Sequence, residues 1–131
     1  LTEKYKITNP VKFFNHCEDM ALAYQISDIV VSASVEPEAF GRVSVETQSM
    51  QKLIIASNIG GSNETIIDEK TGFLFESGDP KSLAKKMMRA LTMDETSLKK
   101  IGIEGRKNVI KKFNVEKMCF STYSEYKRLI N

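Results

Sequence analysis

Glu38 and Glu46 stand with seven residues between them in EPEAFGRVSVE, and the span holds Phe40, Gly41 and Arg42. An ionised carboxylate accepts two hydrogen bonds and so suits a vicinal diol, as a ribose or a sugar ring presents. A helix opening near Gly41 and Arg42 adds unpaired N–H groups and the positive end of a dipole, which suit a phosphate. Gly41 lets the backbone approach an anion or take a positive φ. Gly60 and Gly61, with Glu64 close behind, repeat the arrangement further along. Two such loops side by side could hold a diphosphate and whatever is attached to it.

Taken singly, each feature has a plainer use. A glutamate at a helix start complements the dipole, and paired glycines make turns. Two carboxylates also serve a retaining glycosidase, but 131 residues are few for the barrel that would carry them.

The elements that must position these residues can be read along the chain. VKFF (11–14) is a short β-type run after the turn-prone Asn9-Pro10. Residues 20–27 read as a helix and 28–34 as a buried strand. Residues 42–51 are helical by context, and 52–57 form a second apolar strand. A turn at 58–61 opens another helix at Ser62, carried through SNETIID. The turn at 68–72 leads into a strand at 72–75. Asp79 and Pro80 are an N-cap and a first helical residue. Helices are expected from there, over 96–112 and over 115–130, the last with Cys119, Tyr123, Tyr126 and Ile130 along one side. Strands apolar on both faces, alternating with helices, indicate an α/β fold with a mainly parallel sheet covered on both sides. In such sheets ligands sit beyond the carboxyl ends of the strands, where EPEAFG and NIGGSN fall.

Composition bounds the rest. With 41% hydrophobic and 27% charged residues, the chain is an ordinary globular domain, or part of one, able to bury a single core. Cys17 and Cys119 fit no CxxC spacing, and reduced thiols are expected over a bridge. His16-Cys17 has no further ligands at zinc-site spacing, so no metal is expected. The sequence shows neither a leader-type start nor an apolar run of about 20 residues. Residues 1–80 carry 6 basic and 12 acidic side chains, whereas 81–112 carry 10 basic and 3 acidic. In PKSLAKKMMRAL the apolar stripe is Leu83, Ala84, Met87, Met88 and Leu91, with Lys81, Lys85, Lys86 and Arg89 set largely opposite. No aromatic residue interleaves those bases, so nucleic acid is not an expected partner.

The chain resembles the nucleotide-sugar-binding domain of retaining glycosyltransferases of GT-B architecture, in family 4, of the lipopolysaccharide or capsule type. The likeness rests on Glu38-AFGRVSV-Glu46, GGSNET (60–65), TGFLF (71–75) and GDPKSLAKKM (78–87), with HCEDM (16–20) and SDIVV (27–31) upstream. It implies a Rossmann-like three-layer α/β/α fold, with residues 1–131 forming the C-terminal part of a donor domain. It implies that Glu46 binds the nucleotide ribose and that Glu38 lies near the donor sugar and assists transfer. It implies that Phe40, Gly41 and Arg42 touch sugar and phosphate, and that Gly60, Gly61 and Glu64 line the neighbouring loop. The donor would be a nucleoside-diphosphate sugar, with neither metal nor other cofactor required.

The expected setting is cytoplasmic, at the inner face of a membrane, with a glycan or lipid-linked acceptor held by an N-terminal domain. The helix at 115–131 would pack on that domain, and the chain by itself would not catalyse transfer. A stand-alone nucleotide-binding or interaction module is the alternative. Three places depart from the family pattern. The basic phosphate-binding residues have no counterpart in 1–35, Asn15 replaces a glycine, and Gln51 and Leu53 replace a glycine and a proline. A left-handed Gln51 would cost about 1 kcal/mol relative to glycine.

Overall fold

The computed structural model describes residues 2, 4–7 and 11–130; the turn expected at Asn9-Pro10 lies outside them. Among these residues the elements run α1 (Met20–Ile26), β1 (Ile29–Ser32), α2 (Arg42–Ser49), β2 (Leu53–Ser57), α3 (Ser62–Thr65), β3 (Phe73–Phe75), α4 (Pro80–Thr92), α5 (Glu95–Lys112) and α6 (Val115–Ile130). The strands lie in the order β1-β2-β3, all parallel, with Ile29 opposite Leu53 and Ile55 opposite Phe73. β2 is central and buried at every residue, which is why its sequence, LIIAS, shows no polar alternation.

The sheet is covered on both faces. Leu53, Ile55, Phe73 and Phe75 pack with Ala90 of α4 and Ile101 of α5. On the opposite face Ile54 and Ala56 pack with Ile66, flanked by Val43 of α2. The α/β expectation is borne out, and alternate residues of β2 serve opposite layers as the strand period requires.

Local chemistry sets the ends. Asp79 accepts from Lys81 N at 2.8 Å ahead of Pro80, and Asp94 accepts from Ser97 N at 2.9 Å at the start of α5. Both are N-caps that satisfy otherwise orphaned helix N–H groups. Gln51 ends the α2 segment at φ +58°, and its carbonyl oxygen would lie 2.1 Å from a Cβ at Gly102. The left-handed turn therefore seats Gln51 on α5 at a place where only glycine fits.

Three expectations need correction. VKFF forms no strand, and Phe13 and Phe14 are 80% and 82% exposed. A strand persists only with a ladder partner, and none of the three described strands runs beside it. The helix expected over SNETIID is a single turn, because Ile66 turns extended and enters the core. The apolar stripe of α4 is rotated: Leu83 and Ala90 meet the core while Met88 and Leu91 are exposed. Lys86 lies on the inner side, over the Phe73 ring and paired with Asp68 at 3.3 Å and Glu69 at 2.7 Å. Its methylenes cover the aromatic while the ammonium reaches the turn. The helix expected over 115–130 is found as α6, which buries none of its residues, so Tyr123, Tyr126 and Ile130 are exposed.

Candidate functional site

The loops after β1 and β2 both leave the carboxyl edge of the sheet and pack backbone to backbone. Gly61 N donates to Glu38 O at 2.8 Å. A Cβ at Gly60 would lie 2.6 Å from Glu38 O, and one at Gly61 would lie 2.4 Å from the carbonyl carbon of Phe40. These two glycines are thus required by the close approach of the loops. Gly60 additionally takes φ +56°, and Gly41 takes φ +75° as the N-cap of α2.

With Gly41 at the cap, no side chain satisfies the opening N–H groups of α2. The eight-residue helix therefore presents donors and a positive dipole end at the sheet's edge. α3 has only four residues, so a comparable dipole is absent there and the second loop contributes shape and backbone donors. Phe40 is half-exposed and meets Phe113 edge-on, with ring centroids 5.8 Å apart. Both rings line a cleft of about 280 Å³ that runs to Met118 of α6.

The two glutamates have different surroundings. Glu38 is exposed in its loop, and its Oε1 accepts from Ser34 Oγ at 2.8 Å. Glu46, one turn inside α2, is bracketed: Oε2 accepts from the Tyr24 hydroxyl at 2.9 Å. Its Oε1 accepts from Arg42 Nε at 3.2 Å and Nη2 at 3.0 Å. Burial first, then the hydrogen bond and charge of Glu46, push the Tyr24 phenol up to about 12, while Arg42 pulls against them. The expected site residues 38, 40, 41, 60 and 61 are in mutual contact; Glu46 projects from the same helix start, and Glu64 is exposed on α3.

Sequence reasoning missed the groups that hold this edge in place. Gln48 is fully buried, and its Nε2 donates to Ser44 O at 3.1 Å and Thr65 O at 3.0 Å. Asn108 of α5 donates to the same Thr65 O at 3.0 Å and to Gln48 Oε1 at 3.4 Å. This network ties α2, α3 and α5 together behind the loops. Tyr24 was likewise unforeseen. The described residues contain no group of three His, Cys, Asp or Glu placed as metal ligands; Cys17 and Cys119 are exposed thiols, unbridged. No helix among them is long and apolar enough to cross a membrane.

The sequence profile described as Glycosyl transferases group 1 matches residues 1–108. The chain belongs to this family. It is 32% identical over 108 residues to the capsular polysaccharide biosynthesis glycosyltransferase CapM of Staphylococcus aureus, covering 82% of this chain and 25% of that protein. It is 30% identical over 118 residues to the N-acetyl-alpha-D-glucosaminyl L-malate synthase of Bacillus anthracis, covering 90% and 30%. Among solved structures, a glycosyltransferase from Rickettsia africae ESF-5 superposes with a TM-score of 0.92 at 38% identity, covering 99% of this chain and 35% of that one. This group 1 chain thus spans a quarter to a third of the length of these relatives.

Proposed function

We propose that the chain is the donor-binding part of a retaining glycosyltransferase of GT-B family 4. It would move a hexose-type sugar from a nucleoside-diphosphate sugar to a glycan or lipid-linked acceptor of lipopolysaccharide or capsule type. The observation that carries this reading is the bracketed Glu46 carboxylate beside the α2 start that Gly41 leaves without a side-chain cap. Membership of the glycosyltransferase family supports it, as does a relative named for capsular polysaccharide biosynthesis.

In this reading Glu46 accepts the two ribose hydroxyls, and its charge favours that hydrogen bonding. The first N–H groups of α2, with the backbone of Phe40, Gly41 and Arg42, receive the diphosphate and stabilise the charge that develops as it departs. Gly60, Gly61 and Glu64 shape the opposite wall. Glu38, anchored by Ser34, lies at the donor sugar and assists its transfer with retention at the anomeric carbon. No metal is needed where helix N–H groups and dipole take up the leaving charge. The acceptor is held by an N-terminal domain against which α6 packs, and the setting is cytoplasmic, at the inner membrane face.

Titrating the isotopically labelled protein with UDP, GDP, ADP and UDP-sugars, followed by amide NMR, tests this. Saturable shifts at residues 38–46 and 60–64, weakened about tenfold or more in Glu46→Ala, are expected. Shifts indifferent to that substitution would overturn the assignment of Glu46. Sugar transfer by the purified 131-residue chain would overturn the need for a separate acceptor domain.

A further inference from the structure

The two groups that hold Glu46 are not equivalent. The Arg42 side chain is 83% exposed, and its contact with Glu46 is an i,i+4 surface pair. Such pairs contribute little and exchange readily with solvent or ligand. Tyr24 is 4% exposed, inside α1, and its hydroxyl reaches across to α2. A buried hydroxyl that abandons its acceptor is left unsatisfied, so this bond resists exchange. A carboxylate has about four acceptor positions over its two oxygens. Releasing Arg42 opens Oε1, while Tyr24 keeps Oε2 fixed and the side chain in one rotamer.

We propose that Tyr24 is a positioning residue of the donor site: it latches Oε2 of Glu46 so that Oε1, vacated by Arg42, is presented to the ribose diol. The inference deepens the reading of Glu46 as the ribose acceptor and rests on it. The tyrosine touches no ligand. It acts by removing the rotameric freedom that Glu46 would otherwise lose on binding, which is where preorganisation raises affinity. Its phenol, pushed up to about 12, stays a donor throughout the working pH range.

Two measurements on the purified protein test this. In the first, UDP, GDP and ADP, each beside its 2′-deoxy counterpart, are titrated into wild type and Tyr24→Phe, with thermal melting to verify the fold. Tyr24→Phe is expected to weaken the ribonucleotide about tenfold and the 2′-deoxynucleotide far less, so that the preference for ribose shrinks. A purely structural role would weaken both alike, and that outcome, or no weakening, overturns the proposal. In the second, the Tyr24 phenol is titrated by ¹³C NMR in wild type and Glu46→Gln. Loss of the carboxylate charge should bring its midpoint down; an unmoved midpoint means the latch is absent. If the midpoint moves but Glu46→Gln retains full ribose preference, the latch exists and the ribose assignment of Glu46 is what fails, taking the proposal with it. Binding of none of the six nucleotides has the same consequence.

Discussion

Substituting Gly61 by alanine has opposite signs under two accounts of why a glycine stands there. Gly61 has φ −59° and ψ −19°, right-handed helical values that alanine adopts without strain. Were the position open, for close approach of an anion, alanine would stabilise the fold by about 0.4–1 kcal/mol by restricting the unfolded chain. The structure instead puts the added Cβ 2.4 Å from Phe40 C, 2.6 Å from its O and 2.7 Å from its Cα. All three are backbone atoms, so relief requires the β1–α2 loop to retreat by about 1 Å to reach normal contact distance. Overpacking of this kind costs about 1–3 kcal/mol. The retreat also stretches the 2.8 Å bond from Gly61 N to Glu38 O, which adds about 1 kcal/mol. A net loss of about 2–3 kcal/mol is expected. Gly78→Ala supplies the reference, because φ there is +76° and a Cβ meets nothing within 4 Å. It carries backbone strain alone, about 1 kcal/mol. Urea unfolding followed by circular dichroism, with slopes compared, gives both numbers. A Gly61→Ala chain as stable as wild type, or more so, would refute the packing of the two loops.

Two further outcomes follow from the groups behind the site. Asn108→Ala removes a donor shared between Thr65 O and Gln48 Oε1 and should destabilise the fold by about 1–3 kcal/mol. Urea unfolding measures it, and a change near zero would show that Gln48 alone holds Thr65. The second concerns alkaline pH. The folded Tyr24 phenol is raised to about 12 from 10.0, so between those values the unfolded chain loses a proton that the folded chain keeps. The native state then binds more protons, and stability falls as pH rises through this window. Complete conversion of the shift corresponds to about 2.7 kcal/mol, reduced to on the order of 1–2 kcal/mol by solvent screening at the half-open carboxylate. The slope of unfolding free energy between pH 10 and 12 should be smaller in Tyr24→Phe; an equal slope would mean the phenol titrates normally.

The parts of the fold that were legible are those whose local pattern has one physical solution. LIIAS, short, β-branched and bounded by turn residues, fits a strand covered on both faces, and Asp79-Pro80 fits a helix start. The x7 spacing of the glutamates, with Gly41 between them, put Glu46 a turn inside α2 and Glu38 in the loop, where both are found. Gln51, read as a residue in a glycine's place, does take the left-handed conformation. The failures arise where a neighbour decides. VKFF has the composition of a strand and no ladder beside it. α4 was rotated because the acidic turn at Asp68 and Glu69, together with the Phe73 ring, draws Lys86 inward, and an apolar count treats every lysine as outward.

The residues that fix the site were hidden for a related reason. The buried face of α2 is Ser44, Thr47 and Gln48, a set that reads from sequence as solvent-facing. Gln48 satisfies its amide against Ser44 O within α2, Thr65 O of α3 and Asn108 of α5, whereas the Ser44 and Thr47 hydroxyls are buried without a partner among the described residues. Sixty positions separate Gln48 from Asn108, and no local period links them. Tyr24 similarly reads as one more core aromatic of α1 until α1 and α2 are laid side by side. A polar helix face inside the domain is therefore informative once its partners are known. An apolar face would let α2 slide against α5, whereas directional bonds from Gln48 hold its last turn to α3 and α5. Under the proposed donor-binding reading, substitutions at Gln48 and Asn108, which would touch no ligand, should weaken nucleotide binding in the same amide-shift titration.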